Sequence, residues 1–268
     1  MSGNFGRYGS LLLSLTVWLA SETVAGAAGA ADSTEMIRIP SGAFVMGSNE
    51  GPADERPRHQ VFFEEFWIDR TPVTNAQLAA FLNGAGPSRE SWYDIDDGDA
   101  RIHQREGRFL ADAGYENHPA VEASWFGAVA YCAWAGKRLP TEAEWEKAAR
   151  SGDGRKYPWG NEAPDRSRAQ FGAPYNQTAP VGSFPRGASP YGALDMAGNV
   201  WEWVSSAYLA YPYNPTDGRE DLTRPEVRGT RGGAHDSSAA ELTTSHRGRQ
   251  VSRNFRSGHH NIGFRCAR

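Results

Sequence analysis

The sequence is poor in cysteine and has no bias towards charge of one sign. Two of its 268 residues are cysteine, and 28 lysines and arginines stand against 32 aspartates and glutamates, which gives a net charge of −4. Proteins that bind nucleic acid or anionic membranes usually carry an excess or a broad patch of positive charge, so this balance argues against both partners. The arginines between His246 and Arg256 form a local cluster, which we assign to internal ion pairs or to a substrate rim.

The chain also lacks internal repeats, a low-complexity linker and any change of composition between its two halves. A length of 268 residues suits one large domain with a substantial core, or two small domains. Because nothing divides the chain, we expect one domain after the N-terminal segment.

No apolar run in the chain is long enough to span a bilayer. The run Leu11–Ala20 is shorter than the roughly 20 residues that a membrane-spanning helix needs. It follows Arg7 and precedes small residues that offer A-x-A cleavage sites, an order typical of a secretory signal peptide. We predict this signal peptide over residues 1–30, with cleavage near residues 27–31, and general secretion because no twin arginine is present. The mature protein is then exported, periplasmic or secreted, and has no membrane span.

The sequence predicts a few short helices and strands separated by much irregular chain. Capping signals stand before three apolar segments, and alternation of apolar and polar residues marks two others. Residues 151–189 are rich in glycine, proline and polar side chains, which indicates packed irregular chain. The resulting prediction is an α+β fold with a hairpin over Met36–Met46, a strand over Val61–Asp69, and helices after Thr74, over Trp125–Ala135 and over Glu142–Arg150.

Several aspartates lie close together after the first predicted helix. They are Asp94, Asp96, Asp97 and Asp99. The segment resembles a calcium-binding loop at first sight, but its glycine falls at the wrong position and Arg105 stands where the bidentate glutamate should be. We therefore reject the calcium motif and predict an acidic surface loop.

The stretch Tyr191–Trp203, YGALDMAGNVWEW, is the part of the chain around which the rest is organised. Its Gly-Asn pair predicts a turn, which brings Asp195, exposed carbonyl groups and Glu202 near one another. Oxygen atoms in such a set are the ligands that Ca²⁺ prefers. The alternative is a turn anchored in the core by its two tryptophans, with Glu202 exposed to solvent.

The GNVWEW sequence within this stretch is one of several motifs that follow in a fixed order. The others are Ile39–Ser48 (IPSGAFVMGS), Pro72–Asn75 (PVTN), Ala135–Glu146 (AGKRLPTEAEWE), Tyr157–Asn161 (YPWGN), Arg231–Gly233 (RGG) and Gly263–Cys266 (GFRC). In sequence and order these motifs resemble the formylglycine-generating enzyme family, also called the sulfatase-modifying factor family. The resemblance implies one family domain over residues 36–268, whose fold is a C-type-lectin-like variant of the α+β class with much irregular structure.

The resemblance also implies a calcium site and a disulfide bond. A second calcium site of the family matches poorly, because the loop after Phe171 is shortened. The structural disulfide of the family falls on Cys132 and Cys266, and the alternative is two separate buried thiols. We expect Ca²⁺ as a cofactor on the GNVWEW turn, where the family's ligands correspond to Asp195, Gly198, Val200 and Glu202.

The copper site of the family has no counterpart in this sequence. The resemblance implies two cysteines, five residues apart after the glycine pair, that hold Cu(I) for the oxidation of a substrate cysteine by O₂. Counting from Gly232 and Gly233, these positions are Ser237 and Leu242. A hydroxyl group is a hard ligand for the soft Cu(I) ion, and an alkyl side chain cannot bind a metal. We therefore expect no copper here and no formylglycine-generating activity.

Side chains that can bind a metal or transfer a proton are frequent near these positions. We select His235, Asp236 and His246 as candidate catalytic residues, since the first two stand two and three residues after the glycine pair, where the family's cleft is lined. Against a transition metal, no HxH or HExxH spacing is present, and histidines in such a segment more often form hydrogen bonds. The full set is His235, Asp236, Ser237, Ser238, Glu241, His246, His259 and His260.

Two functions remain open on the sequence. One is an accessory or ligand-binding protein for an unidentified protein or small molecule, similar to the cysteine-less paralogue of the family. The other is a periplasmic tailoring enzyme, oxidoreductase-like, that acts on a small molecule or peptide through segment 234–249. If His235, Asp236 and His246 point into a solvent-reaching pocket, the enzyme is favoured. If they pair with one another at a flat surface, the binding protein is favoured.

Overall fold

The computed structural model describes Met1 and residues 34–85, 92–248 and 254–268. Apart from Met1, the predicted signal peptide lies outside the described residues. Within these ranges, no helix has both the length and the apolar character needed to cross a membrane. The strands and α-helices, in chain order, are β1 (Met36–Ile39), β2 (Gly42–Met46), β3 (His59–Phe63), β4 (Phe66–Asp69), α1 (Asn75–Gly84), β5 (Ile102–Arg105), β6 (Arg108–Ala111), α2 (Trp125–Trp134), α3 (Glu142–Arg150), β7 (Trp201–Ala207), β8 (Arg228–Arg231) and β9 (Ile262–Phe264).

The strands form small sheets, and the one built around β7 lies at the centre of the domain. Strand β7 is antiparallel to β8 and parallel to β9, whereas β1 pairs with β4, β2 with β3 and β5 with β6, all antiparallel. All seven residues of β7 are buried, including Glu202. The strand therefore does not alternate between core and solvent, because neighbouring parts of the chain cover both of its faces. This confirms an α+β fold with much irregular chain.

Strands β1 and β2 do not form the hairpin predicted over Met36–Met46. Instead β1 pairs with β4 and β2 pairs with β3, with Ile39 opposite Phe66 and Met46 opposite His59. The predicted strand over residues 61–69 is likewise divided between β3 and β4. The hairpin prediction was wrong because pairing is decided by partners distant in sequence, and each half of the first segment finds a different one.

The three predicted helices are confirmed, together with their caps. Thr74 caps α1 and Thr141 caps α3 in capping boxes, where the threonine side chain and the side chain three residues later each accept a backbone hydrogen bond. Ser124 caps α2 by accepting a hydrogen bond from the N–H of Gly127. All nine residues of α3 are buried, so this helix lies inside the domain, against β2, β7 and β8.

Cys132 of α2 and Cys266 after β9 form a disulfide bond, with 5.6 Å between their Cα atoms. The pairing implied by the family resemblance is therefore confirmed, and the alternative of two separate thiols is wrong. The bond lies in a hydrophobic core that also contains Tyr131, Trp203 and Phe264. Because it joins positions 134 residues apart, it restricts the unfolded chain strongly.

Buried ion pairs attach the chain around β8 to α3. Arg247 donates from Nε and Nη2 to the two carboxylate oxygens of Glu142, at 2.7 and 2.9 Å. Arg231 of β8 donates to Glu146 at 2.5 Å. These four side chains are almost completely buried. Arg247 thus has a structural partner, as expected if the arginine cluster makes internal ion pairs.

Candidate functional site

A pair of glycines directs the chain from β8 into the segment that holds the candidate residues. Gly232 and Gly233 have φ angles of 103° and 75°, which residues with a side chain rarely adopt. A Cβ atom on Gly233 would lie 2.8 Å from the side chain of Leu242. The turn brings His235 next to the GNVWEW turn, where its backbone N–H donates to the carbonyl of Asn199 at 2.9 Å.

His235, Asp236 and His260 converge, and we call them the His-Asp-His cluster. One ligand atom from each, a ring nitrogen or a carboxylate oxygen, lies within 4.8 Å of the others. His260 comes from the segment before β9, and its Nε2 atom is 3.2 Å from Oδ2 of Asp236. Asn261 supports the same carboxylate, with Nδ2 at 3.3 Å from each oxygen. The folding of β8 and β9 beside β7 thus assembles the cluster.

The protonation state of His235 suits a metal ligand. Its ring is buried, and Nδ1 lies 3.1 Å from the carbonyl oxygen of Asn199. Because a carbonyl can only accept, Nδ1 carries the proton and Nε2 keeps its lone pair. This Nε2 atom is buried and has no hydrogen-bond partner within the described ranges. Burial also lowers the pKa of His235, so the ring is neutral at neutral pH.

Asp236 supplies the negative charge of the cluster. The hydrogen bond from His260 lowers the pKa of Asp236 to about 2, although partial burial acts in the opposite direction. The carboxylate is therefore ionised at neutral pH. A carboxylate and two imidazoles form a donor set that fits one divalent transition-metal ion.

An exposed tyrosine packs against the cluster. The ring centroid of Tyr175 is 4.2 Å from that of His260, and Tyr175 is 61% exposed. Its hydroxyl group donates to one oxygen of Asp99, while the other oxygen accepts from Nδ2 of Asn176 at 2.8 Å. The cluster therefore borders an aromatic surface that a ligand from solution can contact.

His246 is not part of the His-Asp-His cluster. Its Nδ1 atom is 3.2 Å from Oε1 of the buried Glu55, and its ring centroid is 5.7 Å from that of Trp201. Glu55 lines a separate cavity of about 750 Å³, together with Arg150, Lys156 and other residues. The structure thus brings together two of the three candidate catalytic residues, and the catalytic role of all three stays a prediction.

Glu202, the predicted acidic calcium ligand, has other partners. Arg265 donates to both of its oxygens at 2.7 Å each, and the indole N–H of Trp145 donates to Oε2 at 2.8 Å. Glu202 and Arg265 are completely buried. The alternative of a solvent-exposed Glu202 is therefore wrong. A calcium ion on this turn would have to share the carboxylate with Arg265.

The other predicted calcium ligands differ in whether their oxygen atoms already accept hydrogen bonds. The carbonyl of Gly198 accepts a hydrogen bond from the N–H of Val200 at 2.9 Å. One oxygen of Asp195 accepts from the N–H of Gly182 at 2.6 Å, whereas the other is buried and has no partner in the described part of the chain. Burial raises the pKa of Asp195 to about 6. Calcium binding at this turn stays a prediction.

The positions that the family resemblance assigns to copper-binding cysteines contribute to the packing of the domain. The Ser237 hydroxyl accepts a hydrogen bond from the N–H of Ala234 at 3.1 Å. Leu242 is completely buried in a small hydrophobic cluster with Tyr157 and Ala169. Neither side chain offers a ligand for a soft metal ion.

Sequence reasoning did not assign His260 to the catalytic set. It lies 24 residues from Asp236, and no local spacing connects the two. Tyr175 gives no signal in the sequence either, and Asn199 signals only the turn. The available signal is that one histidine stands two residues after the RGG motif and two others stand shortly before the GFRC motif. These two motifs flank the central strand in space.

The fold and the cluster define the class of this protein, an α+β domain of the C-type-lectin-like kind with polar side chains gathered beside the turn that enters its central strand. The chain belongs to the sulfatase-modifying factor family: the family described as "Sulfatase-modifying factor enzyme 1-like domain" matches residues 21–268. The resemblance carried by the sequence motifs is thereby confirmed.

Relatives within this family carry different names. The chain is 36% identical over 285 residues to the formylglycine-generating enzyme of Streptomyces coelicolor, covering 86% of this chain and 88% of that protein. It is 35% identical over 222 residues to the hercynine oxygenase of Mycolicibacterium smegmatis, covering 74% and 51%. It is 40% identical over 243 residues to the serine/threonine-protein kinase pkn1 of Chlamydia caviae, covering 88% and 38%. The chain therefore spans about half or less of the last two proteins.

Among solved structures, that of PvdO from Pseudomonas aeruginosa superposes with a TM-score of 0.68 at 30% sequence identity. The match covers 88% of this chain and 94% of PvdO. The similarity thus extends over nearly the whole of both domains.

Proposed function

We propose that this chain is an exported, metal-dependent tailoring enzyme, oxidoreductase-like in its chemistry, that acts on a small molecule or a peptide. One divalent metal ion held by His235, Asp236 and His260 replaces the copper dithiolate of the family. The observation that carries the proposal is the buried Nε2 atom of His235, which has no hydrogen-bond partner in the described residues and lies within 4.8 Å of the other two ligand groups.

The energetic cost of this arrangement supports a bound ion. A buried polar atom without a partner destabilises a folded protein by about 1–3 kcal/mol. Natural proteins retain such atoms mainly where a ligand, an ion or a function accounts for them. His235 is fixed by Asn199 in the tautomer that a metal requires, so an ion at the cluster would satisfy the orphaned nitrogen.

The kinds of ligand in the cluster favour iron. Two histidines and one carboxylate with open coordination positions are the set found in mononuclear non-haem Fe(II) oxygenases. A relative named hercynine oxygenase supports oxygenase chemistry on this fold. Bound iron would supply oxygen activation, while the residues of this chain hold the ion, fix its imidazole ligands and present Tyr175 as an aromatic contact for the substrate.

The second candidate function is an accessory or ligand-binding protein. It is supported by the direct contact between Asp236 and His260, which also have Asn261 as a partner and satisfy one another without a metal. It is also supported by the placement of His246 against Glu55 rather than in the cluster. In this alternative the ligand is an unidentified protein or small molecule.

Export and a calcium site on the turn are further parts of the proposal. Export is supported by the disulfide bond between Cys132 and Cys266, because such bonds persist mainly in oxidising compartments. It is also the expectation from the predicted signal peptide. Calcium at Asp195 is supported by the buried carboxylate oxygen of this residue that has no partner within the described ranges.

Metal analysis of protein purified without chelators tests the enzyme proposal. The wild-type protein is expected to retain about one iron per chain, since the cluster offers three ligands for a single ion. His235→Ala and His260→Ala are expected to lose it. His103→Ala is the matched control, because this partly exposed histidine of β5 pairs with Asp112 outside the cluster. Iron bound equally by His235→Ala would refute the proposed centre, and protein free of transition metal would favour the binding protein.

A further inference from the structure

A second group of potential metal ligands consists entirely of carboxylates. Asp94 and Asp97 lie in the loop after α1, and Glu122 lies two residues before Ser124, the cap of α2. One oxygen of each lies within 4.8 Å of the others. The acidic surface loop predicted from the sequence thus receives a third carboxylate from another part of the chain. The local spacing rule for calcium loops fails here because the glutamate comes from outside the loop.

Glu122 is the unusual member of this group. It is 2% exposed, and its carboxylate has no hydrogen-bond or ion-pair partner among the residues that the structure describes. Its neighbours are acidic: Asp94 and Asp97 each place a carboxylate oxygen within 4.8 Å of a carboxylate oxygen of Glu122. A buried ionised carboxylate surrounded by other carboxylates is strongly unfavourable unless a cation or a proton compensates it.

The backbone around Glu122 holds its side chain towards the two aspartates. Its carbonyl accepts a hydrogen bond from the N–H of Asp94 at 3.0 Å, and its own N–H donates to the carbonyl of His259 at 3.2 Å. Gly258 passes so close that a Cβ atom there would lie 2.2 Å from the carbonyl oxygen of Glu122. These contacts therefore fix the backbone of Glu122 beside the loop that carries the two aspartates.

The opposite side of the loop is fixed as well. The hydroxyl group of Tyr93 accepts hydrogen bonds from the N–H groups of Arg101 and Ile102, at 2.9 Å each. These bonds close the loop that carries Asp94 and Asp97. Loop and glutamate are thus both held in place by contacts that do not involve the carboxylates.

We propose that Asp94, Asp97 and Glu122 bind one Ca²⁺ ion, at a site separate from the His-Asp-His cluster and from the GNVWEW turn. The group contains hard oxygen donors and no nitrogen or sulfur, which favours Ca²⁺ or Mg²⁺ over softer metals. Irregular loops with three carboxylates suit the flexible coordination of Ca²⁺ better than the strict octahedron of Mg²⁺.

The proposed calcium site is connected to the His-Asp-His cluster through Asp99, which lies in the same loop as Asp94 and Asp97. Asp99 is held by Tyr175 and Asn176, and the ring of Tyr175 packs against His260. On the other side, Glu122 is bonded to the backbone of His259. Calcium would therefore order two segments that border the cluster.

Calorimetric titration of EGTA-stripped full-length protein with Ca²⁺ tests this site. Glu122→Gln and Asp97→Asn are expected to weaken one Ca²⁺-binding event by about tenfold or more, because ligand charge sets the affinity. Asp96→Asn, an exposed aspartate of the same loop, is the matched control and should leave this event unchanged. Asp195→Asn should leave it unchanged too, since that residue belongs to the turn.

A stability measurement separates loss of a ligand from misfolding. Without calcium, Glu122→Gln is expected to melt at the same temperature as the wild type or higher, because a neutral amide is not repelled by the carboxylates of Asp94 and Asp97. With saturating Ca²⁺, only the wild type should gain stability from this site. Unchanged Ca²⁺ affinity in both Glu122→Gln and Asp97→Asn, or no Ca²⁺ binding by the wild type, would overturn the proposal. The proposal would also be overturned if Asp195→Asn lost this Ca²⁺-binding event while Glu122→Gln and Asp97→Asn kept it.

Discussion

Arg265 binds both carboxylate oxygens of Glu202, through Nε and Nη2, at 2.7 Å each. Both side chains are completely buried, and the pair joins β7 to the chain that follows β9. Arg265 also donates to the carbonyls of Asp69 and Leu194. The GNVWEW turn is therefore held in the core by a bidentate ion pair at the place where the family resemblance expects a calcium ligand.

Removal of one partner of this pair is expected to destabilise the domain strongly. Arg265→Met leaves the carboxylate of Glu202 buried without its counter-charge, which should lower the free energy of unfolding by about 3–5 kcal/mol. Urea unfolding measures the change. Arg38→Ala, in the exposed pair with Glu65, is the control and should leave the midpoint nearly unchanged. Equal effects of the two substitutions would show that the buried pair has no special role.

The disulfide bond should contribute measurably to stability. The double variant Cys132→Ser/Cys266→Ser is expected to lose about 2–5 kcal/mol of unfolding free energy, because the unfolded chain is no longer cross-linked between positions 134 residues apart. Reduction of the wild-type protein should reproduce this loss, whereas the reductant should not affect the double variant. Thiol titration confirms that the reduced wild-type protein has two free thiols. If its melting temperature is then unchanged, the result contradicts this expectation.

The ion pair between Glu142 and Arg247 predicts a dependence of stability on pH. Burial disfavours the ionised form of Glu142, but the attraction of Arg247 and Arg231 outweighs it and holds the pKa of Glu142 below its ordinary value. A depressed carboxyl pKa stabilises the folded state above the unfolded pKa of about 4.3, and this stabilisation is lost as the pH falls below that value. Urea midpoints measured from neutral to acidic pH should therefore decline less steeply in acid for Glu142→Gln than for the wild type. Parallel profiles would count against the pair.

No conversion of cysteine to formylglycine is expected from this protein. Incubation of a sulfatase-motif peptide with the protein and copper should leave the peptide mass unchanged, because Ser237 and Leu242 stand where the family resemblance expects the copper-binding cysteines. The formylglycine-generating enzyme of Streptomyces coelicolor serves as the positive control. Aldehyde formation at a rate near that of the control would require another copper site.

Local signals made the helices predictable. The caps at Thr74, Ser124 and Thr141 depend on residues within three positions, so the sequence alone was sufficient to find them. Motif order was likewise enough for the family, the fold class and the pairing of Cys132 with Cys266.

Long-range contacts limited what could be predicted about strands and sites. The partner of β1 is β4 rather than its neighbour β2, and His260 joins Asp236 across 24 residues. Glu122 completes a group of carboxylates whose other members are distant in sequence. In each case the contact is decided by how separate segments pack, which periodicity and local spacing do not encode.

The most direct test of the proposed metal centre is electron paramagnetic resonance of the protein loaded anaerobically with Fe(II) and exposed to nitric oxide. The wild type and His103→Ala are expected to give the high-spin iron–nitrosyl signal of a mononuclear site, because three protein ligands leave a position open for a diatomic gas. His235→Ala and His260→Ala should lack this signal while remaining folded. A wild-type protein without the signal, or a signal that persists undiminished in His235→Ala, would contradict the account.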